Sequence, residues 1–284
     1  MAGLLALAFS LPLWRLMRFA MGSELYSYVL LLPFVSVYLV WTKKKELPGD
    51  SRKVPALTAL FTLAGSGVLA GYWFLGRSAR HPALEDQLAW LISAFFLFLV
   101  AVCCLCLGRK TLRAVAMPLG LLVFMIPAPL ALLDRIEAFL QYGSAYATDL
   151  MFRATGMTFL RDGLIFHLPG ISFHVASECS GIHSSLILFI TSLMAGCLFL
   201  RTPWKRAVFA LAVIPLGLLR NGFRIWTIGE LCVHVNPAMI DSWIHHKGGP
   251  VFFVLSLGPM FVLLRVLEKS DRKPGKPGAG NSGN

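Results

Sequence analysis

The chain has few charged side chains for its length. Asp, Glu, Lys and Arg make up 14% of its 284 residues, whereas about 25% is usual in soluble domains. Hydrophobic residues account for 57%. A soluble fold of this size cannot cover so much apolar surface with so few charges. The composition therefore excludes a cytosolic globular enzyme and a disordered chain, and it indicates an integral membrane protein.

Six cysteines are unremarkable in a chain of 284 residues, and they are far too few for a disulfide-framed secreted domain. Four of the six lie inside apolar runs and Cys232 lies near the end of one, where a thiol usually behaves as a small hydrophobic group. Only Cys179 sits in a polar motif. The sequence has no internal repeat, and its N-terminus lacks the polar region and small-residue cleavage site of a removable signal peptide.

Apolar stretches of about 20 residues are long enough to cross a bilayer as helices. The chain has seven such stretches, near residues 25–42, 54–76, 87–108, 113–133, 180–200, 205–226 and 249–267. An eighth, 3–20, contains Arg15 and Arg18, so it either spans the membrane or lies in the interface. We predict an all-α polytopic membrane protein of seven to eight spans. Residues 1–269 form its single domain, and 270–284 form a disordered cytoplasmic tail rich in Pro and Gly.

The connections between these stretches alternate in charge along the chain. One set, in the ranges 43–53, 109–113, 201–206 and 265–276, holds 16 basic and four acidic residues. The other set holds eight basic and nine acidic residues. Because cytoplasmic loops collect Lys and Arg, the first set is predicted to be cytoplasmic and the second to face the outer side. Topology thus explains the net charge of +12, and no nucleic-acid partner is expected.

The outer segment 134–179 is the only connection with the pattern of a structure of its own. Residues 134–158 are amphipathic and predict a helix at the membrane surface. The following GLIFHLPGISFHVAS alternates in places around Pro169-Gly170, which predicts a small β-hairpin. The alternative is an irregular re-entrant loop.

Three outer-face clusters carry candidate chemistry. Cys179 lies in Ser177-Glu178-Cys179-Ser180-Gly181, immediately before an apolar helix, where the helix dipole lowers a thiol pKa and favours the nucleophilic thiolate. Arg220 and Arg224 bracket Asn221 at the predicted outer end of a span. They either reach for the interface or serve a function. His245-His246 precedes the last span, and Cys with His is a recurring acyl-transfer pair.

Several stretches together resemble the exosortase/archaeosortase family of membrane transpeptidase-like cysteine enzymes. The resemblance covers about residues 25–267, in the family's order. The matching stretches are LLLPFVSVYLVW, MIPAPLALL, RDGLIFHLPG with its continuation into SECSGIHS, RNGFRI and HHKGGPVFF. The resemblance implies Cys179 as nucleophile, Arg224 as stabiliser of the oxyanion and His245 as general acid and base. His246 is the alternative, because the doubled histidine leaves the register open.

The same resemblance implies a protein-sorting function. Such enzymes cut exported proteins on the outer side of the membrane, at a C-terminal signal made of a short Pro-Glu-Pro-like motif, a transmembrane helix and a basic end. The new C-terminus passes through a Cys thioester to a surface acceptor that the sequence does not identify. The implied location is the bacterial inner membrane, with the site periplasmic and the C-terminus cytoplasmic. The implied partners are the exported substrates and the lipid bilayer, and no cofactor is expected.

Four further residues are candidates for substrate binding: Arg220, Glu178, Asn221 and His183. Arg220 either clamps an acidic group of the signal or braces Glu178. His183 lies one helical turn after Cys179 and is either a second base or a polar residue at the mouth of a span.

Three rival functions use the same residues differently. A zinc-dependent intramembrane protease would draw its ligands from His174, Cys179, His183, His245 and His246. No HExxH motif is present, and the spacing matches no closed zinc site, so no metal is expected. An anion transporter would use Arg220 and Arg224, although the sequence lacks an inverted repeat. The third rival is a structural scaffold for polysaccharide export.

Overall fold

The computed structural model describes residues 1–44, 54–78, 83–175, 181–241 and 248–271. Within these ranges helices dominate, together with one small sheet of three strands. The chain divides into two compact units, Met1–Ile136 and Glu137–Asn284. Among the described helices, five are long and apolar enough to cross a membrane, or up to six when one bent pair is counted as a span.

The first unit is built from helices that pack on a long antiparallel pair. Its helices are α1 (Ala2–Ala8), α2 (Ser10–Gly22), α3 (Leu32–Lys43), α4 (Pro55–Ser78), α5 (Leu84–Cys106) and α6 (Arg109–Leu121). The pair α4 and α5 packs closely because Gly65 lets the Phe98 ring approach to 3.1 Å from the position of a Cβ. A buried cluster that includes Leu16, Val29 and Ile92 joins α2 to α5.

The structure supports five or six of the seven to eight predicted spans. Residues 3–20 form two helices, of seven and 13 residues, that meet at Phe9. Predicted span 25–42 is divided between a short 3₁₀ helix, Ser27–Leu30, and the 12-residue α3. Predicted span 113–133 is interrupted after Met125, and the next helix continues at an angle of 95°. Pro127 and Pro129 explain this break, because proline lacks an N–H and disfavours helix in the residue before it.

The second unit combines a helical bundle with the sheet. Its elements are α7 (Leu130–Thr155, which begins in the first unit), β1 (Leu160–Asp162), β2 (Ile165–Leu168), β3 (Ile171–His174), α8 (Ile182–Phe199), α9 (Pro203–Leu211), α10 (Val213–His234) and α11 (Gly249–Asp271). A short 3₁₀ helix, Pro237–Asp241, follows α10. The predicted amphipathic helix 134–158 corresponds to most of α7, which begins four residues earlier and ends three residues earlier.

The predicted hairpin is confirmed as β2 and β3, and β1 extends it into an antiparallel sheet of order β1-β2-β3. The turn between β2 and β3 uses Gly170 at φ +83°, a backbone conformation that glycine adopts without steric cost. Alternation gives the sheet one apolar face. Phe166 and Leu168 on that face are buried in a cluster with Phe152 of α7 and Ile225 of α10.

The helices α8 to α11 share a core and a common end. Leu188, Phe209 and Met260 are buried together between α8, α9 and α11. At the end of α11, the Asp271 carboxylate accepts hydrogen bonds from the main-chain N–H groups of Arg201 and Thr202, at 2.6 and 3.2 Å, and lies 3.3 Å from Lys205 Nζ. The last residues of α8 and α11 therefore lie at the same end of this unit, and their first residues lie at the opposite end.

Helix α10 is longer than the sequence suggested. The predicted span 205–226 consists of α9 and α10 joined at Ala212, and α10 runs on to His234. Its first half packs against α8, while Ile225 and the following turns pack under the sheet. The predicted end of the span at residue 226 is therefore wrong. Arg220 and Arg224 lie inside a continuous helix. At this level of α10, the elements that pack against it change from the other helices of the bundle to the sheet.

Candidate active site

Arg220 connects α10 to the start of α8. Its Nη2 donates hydrogen bonds to the Gly181 carbonyl oxygen at 3.3 Å and to Ser185 Oγ at 3.2 Å. The residue is only 7% exposed, so its charge is enclosed by protein and does not reach toward an interface. Its Nη1 is also buried and has no hydrogen-bond partner among the described residues. A buried guanidinium of this kind favours a negative charge or a carbonyl oxygen nearby.

Gly181 has the backbone conformation that this contact requires. It immediately precedes α8 with φ +68°, in the left-handed region that disfavours residues with a Cβ. A Cβ at this position would also lie 3.1 Å from Arg220 Nη2 and 3.2 Å from Asn221 Oδ1. The glycine therefore lets the main chain that enters α8 lie directly against the polar face of α10.

Asn221 belongs to a buried polar network between α10 and α7. It is 3% exposed, and its Nδ2 donates to Ser144 Oγ at 3.0 Å. Thr148, one turn along α7, donates from its hydroxyl to the carbonyl oxygens of Ser144 at 2.9 Å and Gly222 at 3.2 Å. Buried polar groups that are hydrogen-bonded in this way fix the register of two helices. The network therefore holds the polar face of α10 at a defined position on α7.

Arg224 lines a cavity of about 40 Å³ between α10 and the sheet. This volume is enough for a few non-hydrogen atoms. The cavity is lined by Phe173, His174, Val175, Asn221, Arg224, Ile225, Ile228 and Ile240. None of these lining residues is acidic and most are apolar. The cavity therefore combines a guanidinium with a surrounding of low polarity, where a positive charge stabilises an anion more strongly than it does in water.

The start of α11 lies close to the same part of α10. The ring of Phe252, in the first turn of α11, meets the Phe223 ring edge-to-face with centroids 6.0 Å apart. Phe223 directly precedes Arg224. In addition, Ile240, near the end of the 3₁₀ helix, lines the cavity with Arg224. Thus the segment before residues 242–247 and the segment after them both lie close to Arg224 or to its neighbour Phe223.

The predicted site residues fall into two groups. The structure describes Arg220, Asn221, Arg224 and His183, and it brings the first three together on α10, while half-buried His183 lies in the first turn of α8. Glu178, Cys179, His245 and His246 lie outside the described residues. Of the five zinc-ligand candidates, only His174 and His183 are described. Within the described ranges, no group of three His, Cys, Asp or Glu side chains is arranged to hold a metal ion.

Sequence reasoning missed the supporting residues of α7 and α8. Ser144 and Thr148 are fully buried and hydrogen-bond to α10, and Ser185 accepts from Arg220. The sequence did contain a signal for Ser144 and Thr148. Ser144, Ala145, Ala147 and Thr148 are small residues on one side of a helix stretch whose neighbouring aromatic residues, Tyr142 and Tyr146, are exposed. Small residues on one face of a membrane helix indicate close packing on a neighbouring helix.

The chain matches one family model, that of the transmembrane exosortase (Exosortase_EpsH), over residues 13–262. The match covers most of the chain, including both arginines of α10, the sheet and the two segments that contain Cys179 and the paired histidines. No curated protein matches the chain, and no solved structure does.

Proposed function

Because the chain belongs to the transmembrane exosortase family, a family of membrane protein-sorting transpeptidases, we propose that it cleaves a C-terminal sorting signal from exported proteins and transfers the new C-terminus. The reaction proceeds through a thioester on Cys179. One observation carries this proposal: on both sides of Cys179 and of the paired histidines, described residues contact the Arg220–Arg224 turn of α10 or line the cavity beside it. These residues are Val175, Gly181, Ile240 and Phe252.

Covalent geometry makes this observation restrictive. Cys179 is two residues from Gly181, and two extended residues reach roughly 7 Å. Gly181, the nearest described residue after Cys179, accepts a hydrogen bond from Arg220. His245 and His246 are three and two residues from Gly248, which is buried and directly precedes α11. These short tethers support a site shared by the thiol, the two arginines and one imidazole.

The proposed chemistry assigns each group one task. The Cys179 thiolate attacks the scissile carbonyl carbon, a C–S bond forms, and the carbonyl electron pair moves to oxygen. Arg224 stabilises this oxyanion by donating N–H groups into the weakly polar cavity, as oxyanion-hole donors do. The intermediate then collapses and breaks the C–N bond, while protonated His245 gives its proton to the leaving amine.

The second half of the reaction reverses these roles. An acceptor nucleophile attacks the thioester carbonyl, neutral His245 takes the proton of the nucleophile, and the Cys179 thiolate leaves. His246 is the alternative for this role. Arg220 holds the main chain that enters α8 and adds positive charge near the thiolate. In this proposal Asn221 connects the site to α7 through Ser144, while Glu178 and His183 contact the incoming signal.

We further propose that the site faces the outer side of the inner membrane and that the chain ends in the cytoplasm. The charge pattern supports this orientation, because the clusters at 201–206 and 265–276 belong to the basic set. The contacts of Asp271 with Arg201 and Thr202 join these two clusters at one end of the second unit. Gly181 begins α8 at the opposite end. The substrate is an exported protein that ends in a short motif, an apolar helix and a basic tail.

The test uses an exported reporter that carries such a C-terminal region, taken from a protein of the same genome, in cells that contain the full-length enzyme. Cys179→Ala abolishes processing of the reporter on gels, and Cys179→Ser lowers it by orders of magnitude, because a hydroxyl is a far weaker nucleophile at neutral pH. Cys106→Ala is the matched control, since Cys106 is an exposed thiol of the first unit. The Cys106→Ala variant is expected to process the reporter at the wild-type rate.

Two outcomes contradict the proposal. Unchanged processing by Cys179→Ala excludes a Cys179 thioester. Loss of processing on chelation, with no effect of thiol alkylation, identifies a zinc enzyme instead. His245→Ala and His246→Ala are measured in parallel, and the variant with the larger loss of kcat identifies the acid and base.

A further inference from the structure

The strand β3 forms an open edge of the sheet. The register pairs Ile165 with His174 and His167 with Ser172, and Val175 N donates to the Leu164 carbonyl oxygen at 2.9 Å. In an antiparallel ladder, hydrogen-bonded and non-hydrogen-bonded pairs alternate. Because Val175 is in a bonded pair, Ser172 and His174 are in non-bonded pairs. Their main-chain N–H and C=O groups therefore point away from β2, toward the free edge.

This edge is accessible. Ser172 and His174 are both exposed. Within the described ranges, no main-chain hydrogen bond joins either residue to another element on that side. Natural sheets usually block such edges with a proline, a lysine or a bulge, because an open edge pairs readily with a further strand. The strand Ile171–His174 contains no proline or lysine, and its register with β2 runs without a bulge.

The open edge also adjoins the candidate active site. Phe173 and His174 of β3 and the following Val175 line the same cavity as Arg224. Val175 is, in turn, four residues before Cys179. A strand paired with β3 would therefore pass next to the oxyanion-stabilising guanidinium, with alternate side chains directed to opposite faces of the sheet.

We propose that the sorting signal binds as an additional β-strand on the free edge of β3. Residues of the extended signal next to the scissile bond pair with the main-chain N–H and C=O groups of Ser172 and His174. Main-chain pairing supplies affinity for any extended sequence, and the cavity beside Arg224 accepts a short side chain or the scissile carbonyl. This inference rests on the proposed function, because it adds the binding mode of the same substrate.

The first experiment removes one outward-facing N–H at a time. Ser172→Pro and His174→Pro each delete an N–H that β2 does not use, which an edge strand tolerates. Ser172→Ala and His174→Ala remove the same side chains, including the Ser172 contact with His167, but keep the N–H. The apparent KM for the reporter is measured with full-length enzyme in proteoliposomes. Each proline variant has a KM roughly 3- to 10-fold above that of its alanine counterpart, with similar kcat.

A matched control lies on the opposite edge of the same sheet. Arg161 occupies the middle of β1, the other edge strand, which does not line the cavity. Arg161→Pro and Arg161→Ala have equal KM values, because no substrate strand pairs with this edge. Equal KM values for the proline and alanine variants of Ser172 and His174 overturn the inference. The proposed function is tested separately, by whether Cys179→Ala loses reporter processing.

A second experiment identifies the occupant of the edge. Ser172→Cys is combined with Cys179→Ala, and disulfide cross-linking is measured to reporters with single cysteines at successive positions of the signal. Cross-linking yields that rise and fall with a period of two residues support strand addition, since alternate side chains lie on the same face. Yields without that period overturn it. A disulfide between two enzyme chains, in place of one to the reporter, also overturns it, because a second copy then covers the edge.

Discussion

Gly222→Ala is the most direct test of how the site is held in place. A Cβ at residue 222 would lie 2.6 Å from Ala147 Cβ, 3.1 Å from Thr148 N and 3.2 Å from the Ser144 carbonyl oxygen. Two of these neighbours are main-chain atoms of α7, so they cannot rotate away. The helices must separate, which strains the Thr148 hydrogen bond to the Gly222 carbonyl oxygen. Overpacking of this kind costs about 1–3 kcal/mol.

The loss of stability in Gly222→Ala must be compared with that of another glycine-to-alanine variant, because alanine itself favours helix over glycine by about 1 kcal/mol. Gly196→Ala supplies this comparison. Gly196 lies within α8, in the same unit, and the nearest atom to its Cβ position is 3.5 Å away, an ordinary van der Waals distance. This variant gains the helix preference without overpacking. We expect the free energy of unfolding of Gly222→Ala to fall about 1–3 kcal/mol below that of Gly196→Ala, measured by SDS titration in detergent micelles.

A second substitution tests the cause of the loss. Ala147→Gly removes the nearest neighbour of the added methyl group, so Ala147→Gly combined with Gly222→Ala regains part of the lost stability. The same double variant recovers part of any loss in reporter processing, because Asn221 and Arg224 return toward their positions. Equal unfolding free energies for Gly222→Ala and Gly196→Ala refute a close approach of α7 to α10 at this point. So does the absence of any coupling between residues 147 and 222.

Two further substitutions probe the arginine contact with Gly181 and the opposite end of the bundle. Arg220→Lys lowers kcat for reporter processing about tenfold or more with little change in KM, because one ammonium cannot reproduce the planar donor fork at Gly181 and Ser185. A loss confined to KM contradicts this positioning role. Asp271→Asn lowers the apparent unfolding temperature more than Glu268→Gln does. Asp271 accepts several hydrogen bonds and pairs with a largely buried lysine, whereas Glu268 pairs at 3.4 Å with an exposed arginine. Equal shifts in a thermal-denaturation assay in detergent contradict this ranking.

The small sheet shows which local signals in the sequence are sufficient to predict a structural element. Alternation on both sides of Pro169-Gly170 predicted the hairpin, because a two-residue turn with a glycine at positive φ fixes the register. The strand β1 was not predicted. Its three residues, Leu160–Asp162, are too few to show a period of two. Similarly, Gly156 at φ +72° marks the end of α7, and the predicted end at residue 158 overlooked it.

The number of spans was less predictable, because an apolar stretch does not reveal whether it forms one helix. Predicted span 113–133 has enough hydrophobic residues to cross a bilayer, yet Pro127 and Pro129 stop the helix and the chain turns by 95°. Conversely, the charges at Arg220 and Arg224 suggested that a span ends there, but α10 continues to His234. The two errors have different physical causes that hydropathy does not register. Hydropathy measures the cost of leaving water. It shows neither that a proline stops a helix nor that a neighbouring helix satisfies a polar group.

The site was partly predictable for the same reason. Residues that carry charge or a reactive group stand out against an apolar chain, so Arg220, Asn221 and Arg224 were identified from composition and position. Residues that hold them do not stand out. Ser144 looks like any small residue until α10 packs on it and Asn221 donates to its hydroxyl. If such contacts position Arg224, activity depends on small residues of α7 that touch no substrate. Ser144→Ala would then impair catalysis while leaving every proposed reacting group intact.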